Sequence, residues 1–304
     1  MRQAIPLTIK SASWLLQLMV PISLAVTLLE HYGILSWLAS HLNPLFVHLG
    51  LPGSSALAFI SGAAAGTYSG IAAMMSMPLT MREATILGIM IALCHSLPME
   101  CSINRRTGSS FWGMGLIRIL AALACAYYLN LVLPDLPSRY ISVAATPDST
   151  LLQVLTTWTL SQFKMAIMLF AIVYGLMVLQ KSIEAYRLLT PLSHFFAPLM
   201  TLFGLPRRSA YMWLVGNILG ISYGAAVMVE LEEKGIVSRE DANTVNHHLV
   251  MSHSMLEDTL VFAATGISTF WIISTRLLFA FVLVWARHGF LHIVHTSRHC
   301  KVAM

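Results

Sequence analysis

Charge is scarce in this sequence. Of its 304 residues only 10% are Asp, Glu, Lys or Arg, against about 25% in ordinary soluble domains. Its 13 acidic and 18 basic residues cannot coat a water-soluble particle of this size, and 57% of the chain is hydrophobic. The mean hydropathy of +0.73 agrees. A soluble protein is excluded, and the composition points to an all-α integral membrane protein. Its nearly uncharged segments each approach the roughly 20 residues a helix needs to cross a bilayer. The net charge of +5 is then a topology signal at a membrane facing lipid, not a nucleic-acid footprint. Cysteine is equally uninformative as a scaffold. Cys94, Cys101, Cys125 and Cys300 show no CxxC spacing, so neither a disulfide framework nor a zinc ribbon is indicated. Walker, GxSxG, HExxH and dinucleotide motifs are missing, which argues against an enzyme and against a nucleotide-driven machine within this chain. No small-residue cleavage site follows the first apolar core, so the first span is expected to be retained.

What is present is a repeat. Gly50-Leu51-Pro52 recurs as Gly204-Leu205-Pro206, and at the same offset Gly62, Gly66 and Gly70 match Gly216, Gly220 and Gly224. Met74 matches Met228, and Lys10 matches Lys164. After a short insertion Thr80 pairs with Ser238, Glu83 with Asp241, His95-Ser96 with His253-Ser254, Glu100 with Asp258 and Arg118 with Arg276. The chain therefore divides into a first unit (1–135), a polar linker (136–150) and a second unit (151–304). Each unit has an apolar helix, an amphipathic interfacial helix, a glycine-rich segment, a capped helix and a last apolar helix. In the first unit these are expected near Ala12–Leu29, Ile34–Leu49, Ser55–Met77, from Thr80 with an interruption at Pro98, and Phe111–Leu131. In the second they are expected near Met165–Leu179, Ile183–Leu202, Ser209–Val229, from Ser238, and Ser268–Ala286.

Topology turns on whether the glycine-rich segments cross the membrane. If both are re-entrant hairpins, each unit has three spans and the two are inverted. Thirteen bases then fall on one face, including Arg105, Arg106, Lys181, Arg187, Arg207 and Arg208, against Arg82, Arg139 and Lys164 on the other. If both cross, those six move outside while Arg82, Arg139 and Lys164 move inside, and the balance is 10 against 6. The positive-inside rule favours the inverted arrangement in a cell inner (cytoplasmic) membrane, with both termini cytoplasmic. Thr67, Tyr68, Ser69, Asn217, Ser222 and Tyr223 among the glycines suit hairpin tips, because broken backbone at membrane depth is tolerated where it lines a cavity.

The order of amphipathic helix, Gly-rich hairpin, interrupted helix and helix, given twice, resembles the nucleoside-recognition (gate) domain family. That family links concentrative nucleoside transporters, the membrane domain of bacterial ferrous-iron transporters and smaller spore-maturation membrane proteins. The resemblance implies an inverted-repeat core that holds a small-molecule or ion substrate between two hairpin tips and two unwound helices and moves it as an elevator. By position it adds His95, Ser96, Glu100, His253, Ser254, Glu257 and Asp258 to the six tip residues as a substrate-binding set. The first tip, Ala63-Ala64-Ala65-Gly66-Thr67-Tyr68, departs from the glutamine- and glutamate-bearing tip of the nucleoside transporters.

Ionisable residues at membrane depth are functional candidates by default. His95, Glu100, His253, Glu257 and Asp258 fit a divalent-metal site with N/O ligands. They equally fit a relay for a coupling proton, or a site coupled to sodium, serving a nucleoside-like or other organic solute. The plain alternative is helix capping by Glu100 and Asp258. Arg118 and Arg276 are expected to form structural ion pairs with those acids. His288, His292, His295 and His299 with Cys300 form a stripe after the last span that suits either metal or anionic lipid. The readings are thus a coupled solute carrier, a divalent-metal carrier, or a non-transporting accessory protein. Homo-oligomer formation is left open.

Overall fold

The structure, a computed structural model, describes residues 4–140 and 150–302. All regular elements among them are helical, with one isolated bridge between Thr80 and Arg139. The first half contains α1 (Ala4–His31), α2 (Ile34–His48), α3 (Ser55–Ala65), α4 (Thr67–Met75), α5 (Met81–Cys94), α6 (Leu97–Arg106) and α7 (Phe111–Val132). The second runs through the same series as α8 (Leu151–Ala185), α9 (Leu189–Leu202), α10 (Ala210–Leu219), α11 (Ile221–Glu233), α12 (Arg239–Ser252), α13 (Met255–Ala264) and α14 (Thr269–Val302). Among the described residues four stretches are long and apolar enough to cross a membrane: Met81–Arg106, Phe111–Val132, Leu151–Ala185 and Thr269–Ile293. The chain is an all-α membrane protein.

Local chemistry explains where the helices begin. Thr80 accepts from the Glu83 amide at 3.2 Å while the Glu83 carboxylate accepts from the Thr80 amide at 2.7 Å. Ser238 and Asp241 build the same reciprocal cap on α12, and Thr150 and Gln153 build it on α8. These caps satisfy donors that a helix start otherwise leaves free. The α8 cap starts that helix well before the expected Met165. Ile183–Ala185, expected in the amphipathic stretch, instead close α8, and Arg187 at φ 51° turns the chain into α9.

Each glycine-rich segment is two helices. Gly66 (φ 112°, ψ 171°) parts α3 from α4, and Gly220 (φ 94°, ψ 170°) parts α10 from α11. This region of backbone space belongs almost only to glycine. The flanking glycines then let the paired helices touch: a Cβ on Gly70 would lie 3.1 Å from the Gly62 Cα, and one on Gly224 3.0 Å from the Gly216 Cα. A straight Gly-x-x-x-Gly face is thereby replaced by two short helices folded against each other.

Helices α5 and α12 are buried nearly all round, the pattern of helices at the centre of a bundle. By contrast, α7, α8 and α14 present Leu116, Leu131, Phe163, Ile167 and Val282 on the outside, where lipid would solvate them. Helix α1 packs along α8. There Ser23 Oγ accepts from Trp158 Nε1 at 3.2 Å and Gln162 Nε2 at 2.8 Å. The Lys10 side chain and residues 141–149 of the expected linker lie outside the described residues, as do the side chains of His295, His299 and Cys300. The earlier part of the histidine stripe is described: His288 Nε2 lies 2.8 Å from the Gly204 carbonyl.

Candidate functional site

Both central helices break. Ser96 (φ 49°) separates α5 from α6 and Ser254 (φ 51°) separates α12 from α13, each in left-handed backbone. The first break falls at Ser96, two residues before the expected Pro98. Pro98 itself sits in the first turn of α6, where its missing N–H leaves nothing unsatisfied. The breaks are held by the helix pairs. The Ser96 amide donates to the Gly62 carbonyl and the Ser254 amide to the Gly216 carbonyl, both at 3.0 Å. Gly66 and Gly220 lie so close over the two serines that an added Cβ would meet Ser96 Oγ at 2.9 Å or Ser254 Oγ at 3.1 Å.

A broken helix exposes free carbonyls at one end and free amides at the other. One buried arginine bridges each break, donating to carbonyls that end one helix and to a carboxylate in the first turn of the next. Arg118, on α7, donates from Nε to the Leu93 carbonyl at 2.9 Å and from Nη1 to the Glu100 carboxylate. Arg276, on α14, donates to the Met251 carbonyl at 2.8 Å, to the His253 carbonyl at 2.6 Å and to Asp258 Oδ2 at 2.9 Å. Both guanidinium groups are fully buried. Glu100 and Asp258 stand in the first turns of α6 and α13, where the helix dipole also favours a carboxylate.

At the paired acids the halves differ by one methylene, and Thr67, whose counterpart is Ile221, gives only Asp258 a hydroxyl partner. Glu100 reaches past Arg118 to both histidines: Oε1 is 3.1 Å from His95 Nε2 and Oε2 is 3.0 Å from His253 Nε2. The two Nε2 atoms are 3.3 Å apart. Asp258 instead accepts from Thr67 Oγ1 at 3.3 Å. The hydrogen-bond network fixes the tautomers. His95 Nδ1 lies 3.0 Å from the Ala92 carbonyl and His253 Nδ1 2.6 Å from the Leu249 carbonyl. A carbonyl only accepts, so each Nδ1 carries the hydrogen and a neutral ring offers a bare Nε2. Two bare nitrogens and a carboxylate at hydrogen-bonding distance need at least one proton or a cation among them. His95, Glu100 and His253 are also a group whose donor atoms are close enough to hold a metal ion. Glu257 and Asp258 stand outside that group. Because Ser254 breaks the helix after His253, a shared helical face does not join His253 to Glu257.

Above this cluster opens a cavity of about 770 Å³. Of the residues expected at the site, Thr67, Tyr68, Ser69, His95, Ser96, Glu100, Ser222, Tyr223, Ser254, Glu257 and Asp258 line it. Asn217 does not; its amide turns back to the Trp213 carbonyl at 2.9 Å. His253 does not line it either, being fully buried beneath Glu100. Tyr68 Oη donates to Glu257 Oε1 at 3.0 Å, joining the tip of the first helix pair to α13. Sequence reasoning passed over the apolar wall from α8, Val173, Leu176 and Met177 with Gln180, and also Met99. Gln180 ends the apolar run beside Lys181, where it reads as an ordinary polar helix end, so the sequence carried no signal for this wall.

A family model described as Gate, nucleoside recognition, matches residues 12–103, a span that includes both His95 and Glu100. The chain is also 30% identical over 298 residues to the uncharacterized membrane protein YvoD of Bacillus subtilis (strain 168), covering 95% of this chain and 92% of that relative. The chain belongs to the nucleoside-recognition (Gate) family. No solved structure matches this Gate-family chain.

Proposed function

We propose that this Gate-family protein is a secondary-transporter-like carrier of a small polar solute, nucleoside-like or another organic molecule, coupled to protons. Residues 1–135 and 151–304 are inverted repeats of three spans, one re-entrant hairpin and one amphipathic interfacial helix. They lie in the inner membrane with both termini cytoplasmic. The solute occupies the cavity between the two hairpin tips and the two broken helices.

The observation that carries this reading is the His95–Glu100–His253 cluster, whose geometry calls for a shared proton beside a solute-sized cavity. Ligand sites commonly fall between 300 and 1,000 Å³, roughly, and an open centre favours transport over a plugged scaffold. A second reading, a divalent-metal carrier, is supported by the ligand spacing. Tetrahedral coordination at about 2.0–2.1 Å sets neighbouring ligand atoms near 3.3 Å, close to the 3.3 Å between the two Nε2 atoms. The Arg118 guanidinium on the same carboxylate repels a dication, so the proton reading is preferred.

Uptake into proteoliposomes tests both readings. Labelled nucleosides, small amines, Zn²⁺ and Mn²⁺ are offered with and without an imposed pH gradient. The expected result is accumulation of an organic solute that a protonophore abolishes and that His253→Gln uncouples from pH. Uptake indifferent to pH, or of metal alone, contradicts proton coupling, and no uptake of any probe removes the carrier.

A further inference from the structure

The charges around the cavity do not cancel evenly. Its lining contains three carboxylates, Glu100, Glu257 and Asp258, with one histidine and neither lysine nor arginine. Two of the carboxylates are answered from behind, Glu100 by Arg118 and Asp258 by Arg276. Glu257 has no basic partner among the described residues; its one side-chain hydrogen bond comes from Tyr68 Oη at 3.0 Å. That bond orients a carboxylate at the cavity edge without neutralising it. A carboxylate facing a largely apolar space is costly unless a cation joins it. The space is much larger than a bare ion, and Val173, Leu176 and Met177 offer it an apolar wall.

We propose that the cavity selects a small organic cation, a protonated amine with an apolar body, whose charged head docks on Glu257. This names the substrate class of the carrier proposed above and rests on that reading for its transport role. The head donates to the free Glu257 oxygen, the rings of Tyr68 and Tyr223 on the two tips offer cation–π faces, and the α8 wall takes the body. The charge balance adds a consequence. With one proton in the His95–Glu100–His253 cluster, the cluster, its arginine, the Asp258–Arg276 pair and Glu257 sum to neutral; without it they carry one negative charge. Amine and proton therefore compete, and the amine binds more tightly as pH rises.

Calorimetric titration of the detergent-solubilised full-length protein tests this with tyramine and its uncharged isostere tyrosol, and with ethanolamine and putrescine as amines of other shapes. An amine of this panel is expected to bind, and tyramine at least about tenfold more tightly than tyrosol, the range of a charge-assisted hydrogen bond. Glu257→Gln is expected to erase the preference and Glu257→Asp to keep it. Equal binding of tyramine and tyrosol by the wild type, a preference that survives Glu257→Gln, or no binding of any amine at millimolar concentration overturns the proposal. A cation preference that persists with no dependence on pH leaves Glu257 as the cation site and removes proton coupling instead, so the two failures are told apart.

Discussion

Arg118 and Arg276 are the largest fully buried side chains among the described residues, and each must find its partners inside the protein because lipid supplies none. The guanidinium fork suits this task better than an ammonium, since its separate donors reach a helix C-terminus and a carboxylate together. Removing one arginine strands both a buried carboxylate and orphaned carbonyls. Arg276→Met is expected to destabilise the protein by about 3–5 kcal/mol. Arg276→Met with Asp258→Leu should recover part of that loss but not all, because the Met251 and His253 carbonyls stay unpaired. Unfolding in mixed micelles measures both variants, and a double variant no more stable than the single one contradicts the ion-pair account. The residue types at this centre were visible in the sequence as ionisable groups in apolar runs at matched positions. Their roles were less visible: nothing in the letters shows that Glu100 spans two histidines while Asp258 turns to Thr67, a difference that follows from one methylene and from three-dimensional placement.

At the level of the element, the breaks do the positioning. Ser96 and Ser254 are held in left-handed backbone by hydrogen bonds to Gly62 and Gly216. Such a residue has no sequence signature, whereas Pro98 does, which is why the interruption was expected two residues late. The glycine spacing was legible; that the middle glycine ends a helix was less so, because a close-packed straight face uses the same letters. Gly66→Ala places a side chain in glycine-only backbone and against Ser96 Oγ, with an expected cost of about 1–3 kcal/mol and loss of uptake. Gly175 supplies the control. It lies inside α8 with nothing within 4 Å of an added Cβ, so Gly175→Ala should be neutral or stabilising by up to about 1 kcal/mol. Equal effects of the two substitutions on unfolding would show that the tip geometry carries no special strain.

Across the whole molecule, neither half contains a complete site. The first half supplies His95, Glu100 and Arg118, and the second supplies His253, Glu257 and the Asp258–Arg276 pair. The tip of the first helix pair hydrogen-bonds to α13 of the second half through Thr67 and Tyr68. The succession of helices was legible in the periodicity and caps, but the α8 wall was not, because an apolar helix reads alike whether it faces lipid or a cavity. The proposed carrier has its two halves share one proton at the centre of the molecule, and nitrogen-15 spectra of the histidine-labelled full-length protein test for that proton most directly. With signals assigned through His95→Gln and His253→Gln, both Nδ1 atoms should carry hydrogen at neutral pH, and a single proton should exchange between the two Nε2 atoms. Two bare Nε2 atoms with no proton in the cluster, or an Nδ1 without its hydrogen, would contradict the shared-proton centre.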